Sequence, residues 1–244
     1  MKKQIKQTVR KIKIIVSLTL IVLTLLLTLT TALPSGPSGI VYGANSTGSN
    51  SAAQMVNISG GYISKFNLTA STQNTHWKAF VGEVDGKFTL DDASGSTIYD
   101  WTLSTISGEV YATKTSSSIT WTGIGCATAG EITSEDTALE HRGEDNITST
   151  FSSTNLQPFI VAGASIGTGA CSATNTYNST GKSLDFEEVV LATATSEIVF
   201  ASILEQDALG YDDGRYDFQM IVPENANESK GLTTAYYLYV ELGS

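Results

Sequence analysis

One serine lies in a pattern that nucleophilic catalysis uses. Gly163-Ala164-Ser165-Ile166-Gly167 has the G-x-S-x-G form of a hydrolase nucleophile elbow, and a predicted strand precedes it. Hydrolases of that type continue into a helix and place the catalytic histidine after the serine. Residues 168–175 have no helical pattern, and the two histidines, His76 and His141, both precede Ser165. We therefore expect a glycine-rich loop here and a protein that is not an enzyme.

Two further motif matches are incomplete. Ser179–Lys182 fits the S-x-x-K pattern of penicillin-interacting enzymes but has no companion K-T-G. Gly181-Lys182-Ser183 ends like a phosphate-binding loop, yet Thr176 stands where that loop requires glycine. Neither match predicts a catalytic or cofactor site.

The acidic residues offer two kinds of chemistry. Glycoside hydrolysis needs two carboxylates about 5–10 Å apart, whereas the adjacent Glu187 and Glu188 must point to opposite faces of a strand. Clustered carboxylates around a glycine-containing loop can instead bind calcium, although the EF-hand spacing is absent and a solvated turn is the alternative. The candidate calcium ligands are Glu205, Asp207, Asp212, Asp213 and Asp217.

Large aromatic residues on predicted strands could stack on sugars. Trp77, Trp101, Trp121 and the run Tyr236–Tyr239 are the candidates. Aromatic residues at such positions also form cores and cross-strand pairs, so carbohydrate binding is the alternative function rather than the first one.

Cysteine and asparagine usage indicates an extracellular protein. Cys126 and Cys171 are the only cysteines, and we predict that they form a disulfide, because exported domains hold cysteines in that form. Six asparagines lie in N-x-[ST] sequons and are candidate N-glycosylation sites, although a chain so rich in serine and threonine produces some sequons by chance. They are Asn45, Asn57, Asn67, Asn146, Asn178 and Asn227.

The amino terminus has the pattern of an export signal. Six of the 14 Lys and Arg residues lie within the first 13 positions, and Ile14–Leu33 carries no charge. This pattern predicts a signal peptide, cleaved near Tyr42–Ala44, or a retained membrane anchor of about 20 residues. Residues 45–244 then hold eight Lys and Arg against 24 Asp and Glu, a net charge of −16. A domain this acidic repels the phosphate backbones of nucleic acids. We therefore exclude nucleic acid as a partner.

The exported part has the pattern of an all-β domain. Short β-branched and aromatic runs, separated by Gly/Ser/Asp turns, recur about every ten residues, and residues 97–103 and 234–242 alternate with a period of two. We predict an antiparallel β-sandwich, jelly-roll or immunoglobulin-like, over residues 55–244, preceded by a signal segment at 1–44 and a polar tail at 45–54. Strands are predicted near 56–70, 77–91, 97–103, 109–114, 118–124, 158–163, 184–193, 197–205, 215–222 and 234–242.

Two segments depart from this regular pattern. Ser134–Glu140 has an N-cap residue and early acids, with Arg142-Gly143 after it, and predicts one short inserted helix. Residues 45–64 begin with a polar stretch that cannot order itself but continue with residues such as Met55, Val56 and Tyr62 that can enter a sheet. We expect this segment to be mobile in an isolated subunit and to pair as a β-strand in an assembly, or else to complete its own sheet.

Four spaced motifs carry a family resemblance: Trp77–Gly86 (W-x-x-F-V-G-x-V-x-G), Ser107–Thr113, Asp185–Ala192 and Tyr216–Asn225. With the cysteine that follows a tryptophan-containing strand, they resemble a group of archaeal secreted surface proteins that have a signal segment, one β-rich domain and no known enzymatic activity. More loosely, a glycosylated β-sandwich behind a signal segment is similar to subunits of archaeal threads and bundling pili. The resemblance implies an extracellular, cell-surface protein.

These observations together favour a non-enzymatic structural or interaction protein of the cell surface, anchored or assembled into a filament. The expected partners are other copies of the chain or other surface proteins, with glycans as the alternative and the membrane contacted only through the amino-terminal segment. No cofactor is expected apart from the candidate calcium ion.

Overall fold

A computed structural model of the chain describes residues 33–49, 51–116, 119–227 and 233–243. The predicted signal or anchor segment therefore lies almost entirely outside the described residues. Within the described part of the chain, no helix combines the length and apolar character needed to cross a bilayer.

The described residues form an all-β fold with two short helices. The strands are β1 (Trp77–Gly82), β2 (Lys87–Asp91), β3 (Thr97–Thr102), β4 (Gly108–Thr113), β5 (Gly125–Cys126), β6 (Ser153–Thr154), β7 (Phe159–Val161), β8 (Ala164–Ile166), β9 (Ser172–Asn178), β10 (Gly181–Ala192), β11 (Ile198–Ile203), β12 (Ala208–Leu209), β13 (Arg215–Tyr216), β14 (Phe218–Pro223) and β15 (Tyr237–Leu242). The helices are α1 (Ala129–Ala138) and α2 (Ile147–Thr150).

An antiparallel sheet forms the centre of the domain. Its strands follow the order β15-β4-β11-β10-β9-β6, and β5 pairs with the end of β10. The long strand β10 pairs with β11 along one edge and with β9 and β5 along the other. Its sequence, with Phe186 and Val189–Ala192, is apolar at consecutive positions, as expected for a strand covered on both faces.

Each face of this sheet carries its own hydrophobic core. On one face, which we call the helix face, Val190 and Phe200 pack with α1, α2 and the two-stranded ribbon β1–β14. On the other, the disulfide face, Val189 and Tyr111 pack with the β7–β8 hairpin and Trp121. Because neighbouring strand residues point to opposite faces, consecutive residues of β10 serve the two cores alternately.

Cys126 and Cys171 form the predicted disulfide, which is thereby confirmed. Cys126 lies on β5, and Cys171 directly precedes β9. The bond therefore closes the 45-residue stretch that contains both helices and the β7–β8 hairpin. It joins the two ends of this insertion beside β10, because both β5 and β9 pair with that strand.

The predicted inserted helix exists but begins earlier than expected. The N-cap is Thr128, not Ser134, and Thr128 and Glu131 form a reciprocal capping box. Residues 134–138 are therefore the second half of α1, and their acids do not open the helix. A second, four-residue helix follows, with Asn146 as its N-cap.

Several strand boundaries differ from the predictions. No strand occurs within 56–70 or within residues 119–124, and the predicted strand 77–91 is two strands. It breaks after Gly82, where the Val84 amide donates to the Asp217 carboxylate instead of to a strand. Strand β9 was not predicted, because its sequence, SATNTYN, is dominated by residues typical of turns. The jelly-roll or immunoglobulin-like topology remains a prediction.

Candidate functional site

The residues considered for catalysis do not come together around Ser165. Ser165 lies on β8 and pairs with Ile160 in a short hairpin. The two histidine rings lie 5.9 Å apart elsewhere in the structure. His76 Nδ1 lies 2.9 Å from the Asp145 carboxylate, and His141 Nε2 lies 2.7 Å from the Glu224 carbonyl oxygen. These contacts join the start of β1 to the segment that follows α1.

The candidate calcium ligands are not grouped into a metal site in the structure, and calcium binding stays a prediction. Within the described ranges, no group of three or more His, Cys, Asp or Glu side chains is placed to hold a metal ion. The Asp217 carboxylate accepts the amides of Val84 and Asp207. Asp212 accepts the Tyr216 hydroxyl, Asp213 accepts the Ser179 hydroxyl, and Glu205 accepts the Gln157 amide. Four of the five carboxylates therefore accept hydrogen bonds from backbone amides or from polar side chains of the fold.

Buried glutamates hold the outer ribbons onto the central sheet, a role that sequence reasoning missed. The fully buried Glu188 accepts the Ile221 amide of β14 at 2.9 Å, and Glu187, on the opposite face, accepts the Leu156 amide. The cross-strand partner of Glu188, Ser202, donates to the Gln219 carbonyl oxygen. Burial raises the pKa of Glu188 well above its usual range. The opposite orientations predicted for Glu187 and Glu188 are confirmed.

A second buried acidic cluster lies on the disulfide face. The Tyr111 hydroxyl donates to Glu241 at 2.9 Å and lies 3.3 Å from Glu109. Glu241 also accepts the Ala162 amide of the β7–β8 turn. Burial, with a smaller contribution from the Glu241 charge, raises the pKa of Glu109 to about 8. Because these carboxylates are buried, we assign the cluster a structural role.

Most of the aromatic residues suggested for sugar stacking belong to the interior. Trp121 packs against Tyr111 and Tyr239, and Trp77 packs against Phe151 and His141. Tyr236 contacts Phe200 and donates its hydroxyl to the Pro223 carbonyl oxygen. Of the three tryptophans only Trp101 is exposed, at 51%.

Trp101 belongs to a hairpin whose two strands are exposed along their whole length. Strands β2 and β3 pair with each other and with no other strand, and the predicted turn Asp92–Ser96 joins them. The Asp92 carboxylate accepts the amides of Ser94 and Ser96, and Gly95 has a φ of +79°. A period-two alternation such as that of residues 97–103 predicts a strand with one buried face, and this prediction is wrong, because every residue of β3 is exposed.

One face of this hairpin is apolar. The register places Phe88 opposite Trp101 and Leu90 opposite Tyr99, so all four side chains point to the same side, and we call them the apolar platform. The Tyr99 and Trp101 rings meet edge to face with centroids 4.9 Å apart. The opposite side carries polar residues, including an ion pair between Lys87 and Asp100 at 2.8 Å. The hairpin is amphipathic, yet its apolar side is uncovered.

A second exposed apolar feature precedes β1. Residues 51–76 contain no strand, and their large apolar side chains are exposed. A turn at residues 59–62 interrupts this stretch. In residues 62–68, Tyr62, Phe66 and Leu68 occupy even positions, whereas Ile63 and the sequon Asn67 occupy odd ones. Because even and odd positions of an extended chain face opposite sides, residues 62–68 would place three of their four large apolar side chains on one side. Residues 55–68, which we call the 55–68 segment, are thus an exposed apolar stretch without a sheet.

The ribbon β1–β14 leaves one edge unpaired and borders a groove. Among the strands of the described residues, β1 pairs with β14 alone. A groove of about 400 Å³ lies beside it, floored by Ala79, Val81 and Ile221 and walled by Tyr177 and Tyr211. An extended chain lying here would have both a free strand edge and an apolar floor.

The six sequons lie in two kinds of environment. Asn45, Asn57 and Asn67 are exposed in the stretch that precedes β1. Asn146 and Asn227 are partly buried, and their side-chain amides donate to the Gly143 carbonyl oxygen and the Glu140 carboxylate. Asn178 is partly buried in the β9–β10 turn, where its carbonyl oxygen accepts the Gly181 amide. The amino-terminal three are the most accessible to a glycosylating enzyme.

Comparison of the chain with protein-family profiles, with curated proteins and with solved structures finds no match. Function must therefore be argued from the surface features themselves, since fold class alone does not assign a function. The two features without a structural role within the described domain are the 55–68 segment and the apolar platform.

Proposed function

We propose that this chain is a non-enzymatic structural protein of the cell surface, a β-sandwich domain that assembles with copies of itself. The observation that carries the proposal is the 55–68 segment, whose apolar side chains are exposed while the domain behind it has its own two hydrophobic cores. Exposing several large apolar residues in a row costs free energy that a partner surface recovers.

Strand addition is the mode of assembly that fits this segment. Residues 62–68 form a seven-residue stretch, about 20 Å when extended, which is close in length to the six-residue strand β1. The even-numbered residues would lie on the groove floor beside β1, and main-chain hydrogen bonds would pair with its free edge. The odd-numbered sequon Asn67 would then face solvent, and Asn57 would lie outside the paired stretch, so glycans at both are compatible with pairing.

Export supports the same function. The disulfide is typical of an oxidising compartment outside the cytoplasm, and the amino-terminal sequence has the pattern of an export signal. A surface layer or filament built from this chain would display the acidic domain, with its net charge of −16 over residues 45–244.

Point variants in the 55–68 segment test the assembly function. Tyr62→Ser, Phe66→Ser and Leu68→Ser, combined in the full-length protein, change only exposed side chains and should leave the folded domain intact. We expect them to abolish filaments or oligomers in sedimentation and electron microscopy, with an unchanged melting temperature. The matched control is Ile63→Ser, which removes an exposed apolar residue from the odd-numbered side.

Two results would contradict the proposal. If the triple variant assembles like the wild type, the segment is not the assembling strand. If the triple variant loses its cooperative thermal transition, the segment belongs to its own sheet rather than to a neighbour's.

A carbohydrate-binding module is the second candidate function. A separate observation favours it, namely the exposed tryptophan of the β2–β3 hairpin. Carbohydrate binding requires no assembly, and it would use a different surface from the 55–68 segment.

A further inference from the structure

The β2–β3 hairpin exposes more apolar surface than its own folding explains. An isolated two-stranded hairpin is marginally stable in water unless its apolar face packs against something. Here Phe88, Leu90, Tyr99 and Trp101 are 38–59% exposed. The turn is nevertheless well specified, since Asp92 caps it and Gly95 supplies the positive φ. The sequence thus specifies a hairpin whose apolar side chains the rest of the domain does not cover.

The size of the apolar platform argues against a second copy as its occupant. Large aromatic side chains bury about 150–250 Å² each, so four half-exposed residues offer roughly 400 Å². Two platforms packed face to face would bury about 800 Å² in total, which is below the ~1,200 Å² of specific protein interfaces. Each copy also carries a net charge of −16 over residues 45–244, so like charges oppose this contact.

A neutral sugar fits the apolar platform in both size and charge. It meets no charge repulsion from the acidic domain, and the C–H face of a sugar ring packs on an aromatic ring. The two cross-strand pairs lie about 7 Å apart along the strands, and the paired side chains are about 5 Å apart across them. That area accommodates one or two pyranose rings. The edge-to-face contact between Tyr99 and Trp101 holds the rings in place before binding, which lowers the entropic cost of ordering them.

We infer that the apolar platform, formed by Phe88, Leu90, Tyr99 and Trp101, is a binding site for a neutral oligosaccharide. The inference rests on the second candidate function and is independent of strand-mediated assembly. Tyr99 and Trp101 provide the stacking surface, and Phe88 and Leu90 extend it across the hairpin.

Affinity electrophoresis of the full-length protein tests the site. Native gels contain mannan, xylan, dextran or hydroxyethylcellulose, one neutral polysaccharide in each gel. We expect at least one of them to retard the wild type. Trp101→Ala should weaken that binding about tenfold, as expected when one stacked ring is lost, and Tyr99→Ala/Trp101→Ala should abolish it. Trp101→Phe, which keeps an aromatic face, should retain most of the binding.

Ile98→Ala is the matched control. Ile98 is 80% exposed and adjacent to Tyr99 on β3, so its side chain points to the other side of the hairpin, and its replacement should leave the retardation unchanged. Tryptophan fluorescence provides a second measurement, because Trp101 is the exposed tryptophan and the emission should shift to the blue when sugar covers it.

Three outcomes would overturn the inference. Retardation of wild type and double variant alike would leave carbohydrate binding standing but place it elsewhere on the domain. Absence of retardation by all four polysaccharides would remove both the site and the second candidate function. A change in sedimentation for Trp101→Ala, with no effect of sugar, would identify a second copy as the occupant. None of these results bears on the Tyr62/Phe66/Leu68 assembly test.

Discussion

At the scale of single residues, the most unusual groups are the buried carboxylates. Glu188 and Glu241 each accept a backbone amide from an element packed on the central sheet. Such bonds satisfy amides that would otherwise be buried without a partner, a loss that costs about 1–3 kcal/mol. Their pKa values are raised by burial, so they hold these positions most favourably when protonated.

The Glu109 cluster predicts that the protein becomes less stable as pH rises. Glu109 has a pKa of about 8 in the folded state, against about 4.5 when exposed. Its contribution to stability is therefore fully present below pH 4.5 and is lost as pH rises through 8. We expect the melting temperature to be higher at pH 5 than at pH 9, with a difference of a few kcal/mol in unfolding free energy.

Glu109→Gln isolates this contribution. The neutral amide has nearly the same shape and does not ionise, so the variant should lose less stability than the wild type between pH 5 and pH 9. Glu83→Gln, at an exposed position, is the control and should follow the wild-type curve. Parallel curves for wild type and Glu109→Gln would show that this carboxyl is not the titrating group.

At the scale of elements, the disulfide and the two helices form one unit. The stretch between the cysteines, whose sequence separation is 45, contains α1, α2 and the β7–β8 hairpin, which together cover parts of both faces of the central sheet. The capping box of Thr128 and Glu131 starts α1 two residues after Cys126. The Asp136 carboxylate accepts the Ile147 amide at 2.8 Å and so connects the two helices.

Removing the disulfide should therefore loosen this unit more than the rest of the fold. Replacing Cys126 and Cys171 by serine should lower the unfolding free energy by about 4 kcal/mol, the loop-closure value for a 45-residue separation. Amides of α1 and α2 should exchange faster in hydrogen-exchange mass spectrometry, while those of β4 and β11 stay protected. Uniform loss of protection across the central sheet would show that the insertion and the sheet unfold together.

At the scale of the whole molecule, charge and apolar surface act in opposite directions. Residues 45–244 carry a net charge of −16, which keeps copies apart in dilute solution. In the proposed assembly the 55–68 segment provides the attractive surface. That attraction must overcome a long-range repulsion that salt screens.

Assembly should therefore strengthen with ionic strength. Between about 50 mM and 500 mM NaCl the Debye length falls to a few ångströms, so repulsion between copies should largely disappear. We expect the protein concentration needed for assembly, measured by light scattering, to fall over this range. The Tyr62/Phe66/Leu68 variant should stay unassembled at every salt concentration. Weaker assembly at high salt would indicate that pairs of opposite charge hold the interface.

The sequence by itself determined what local patterns and composition control. Alternating β-branched and aromatic residues predicted the all-β class, the cysteine pair predicted its own disulfide, and Asp92–Ser96 predicted the hairpin turn. The opposite orientations of Glu187 and Glu188 also follow from strand geometry alone.

Only the tertiary structure decided which faces are covered. The alternation of Tyr99 and Trp101 predicts an apolar side but not whether another layer packs on it, and no layer of the described residues does. The same holds for Tyr62 and Phe66, whose pattern forms a strand only where a sheet edge is available. The sequence placed Asp213 and Asp217 near one loop, but only the fold shows that they accept hydrogen bonds from Ser179 and Val84, which are far away in the chain. Whether a face is covered and which groups a side chain contacts depend on residues far apart in the chain. A local sequence pattern therefore does not predict them.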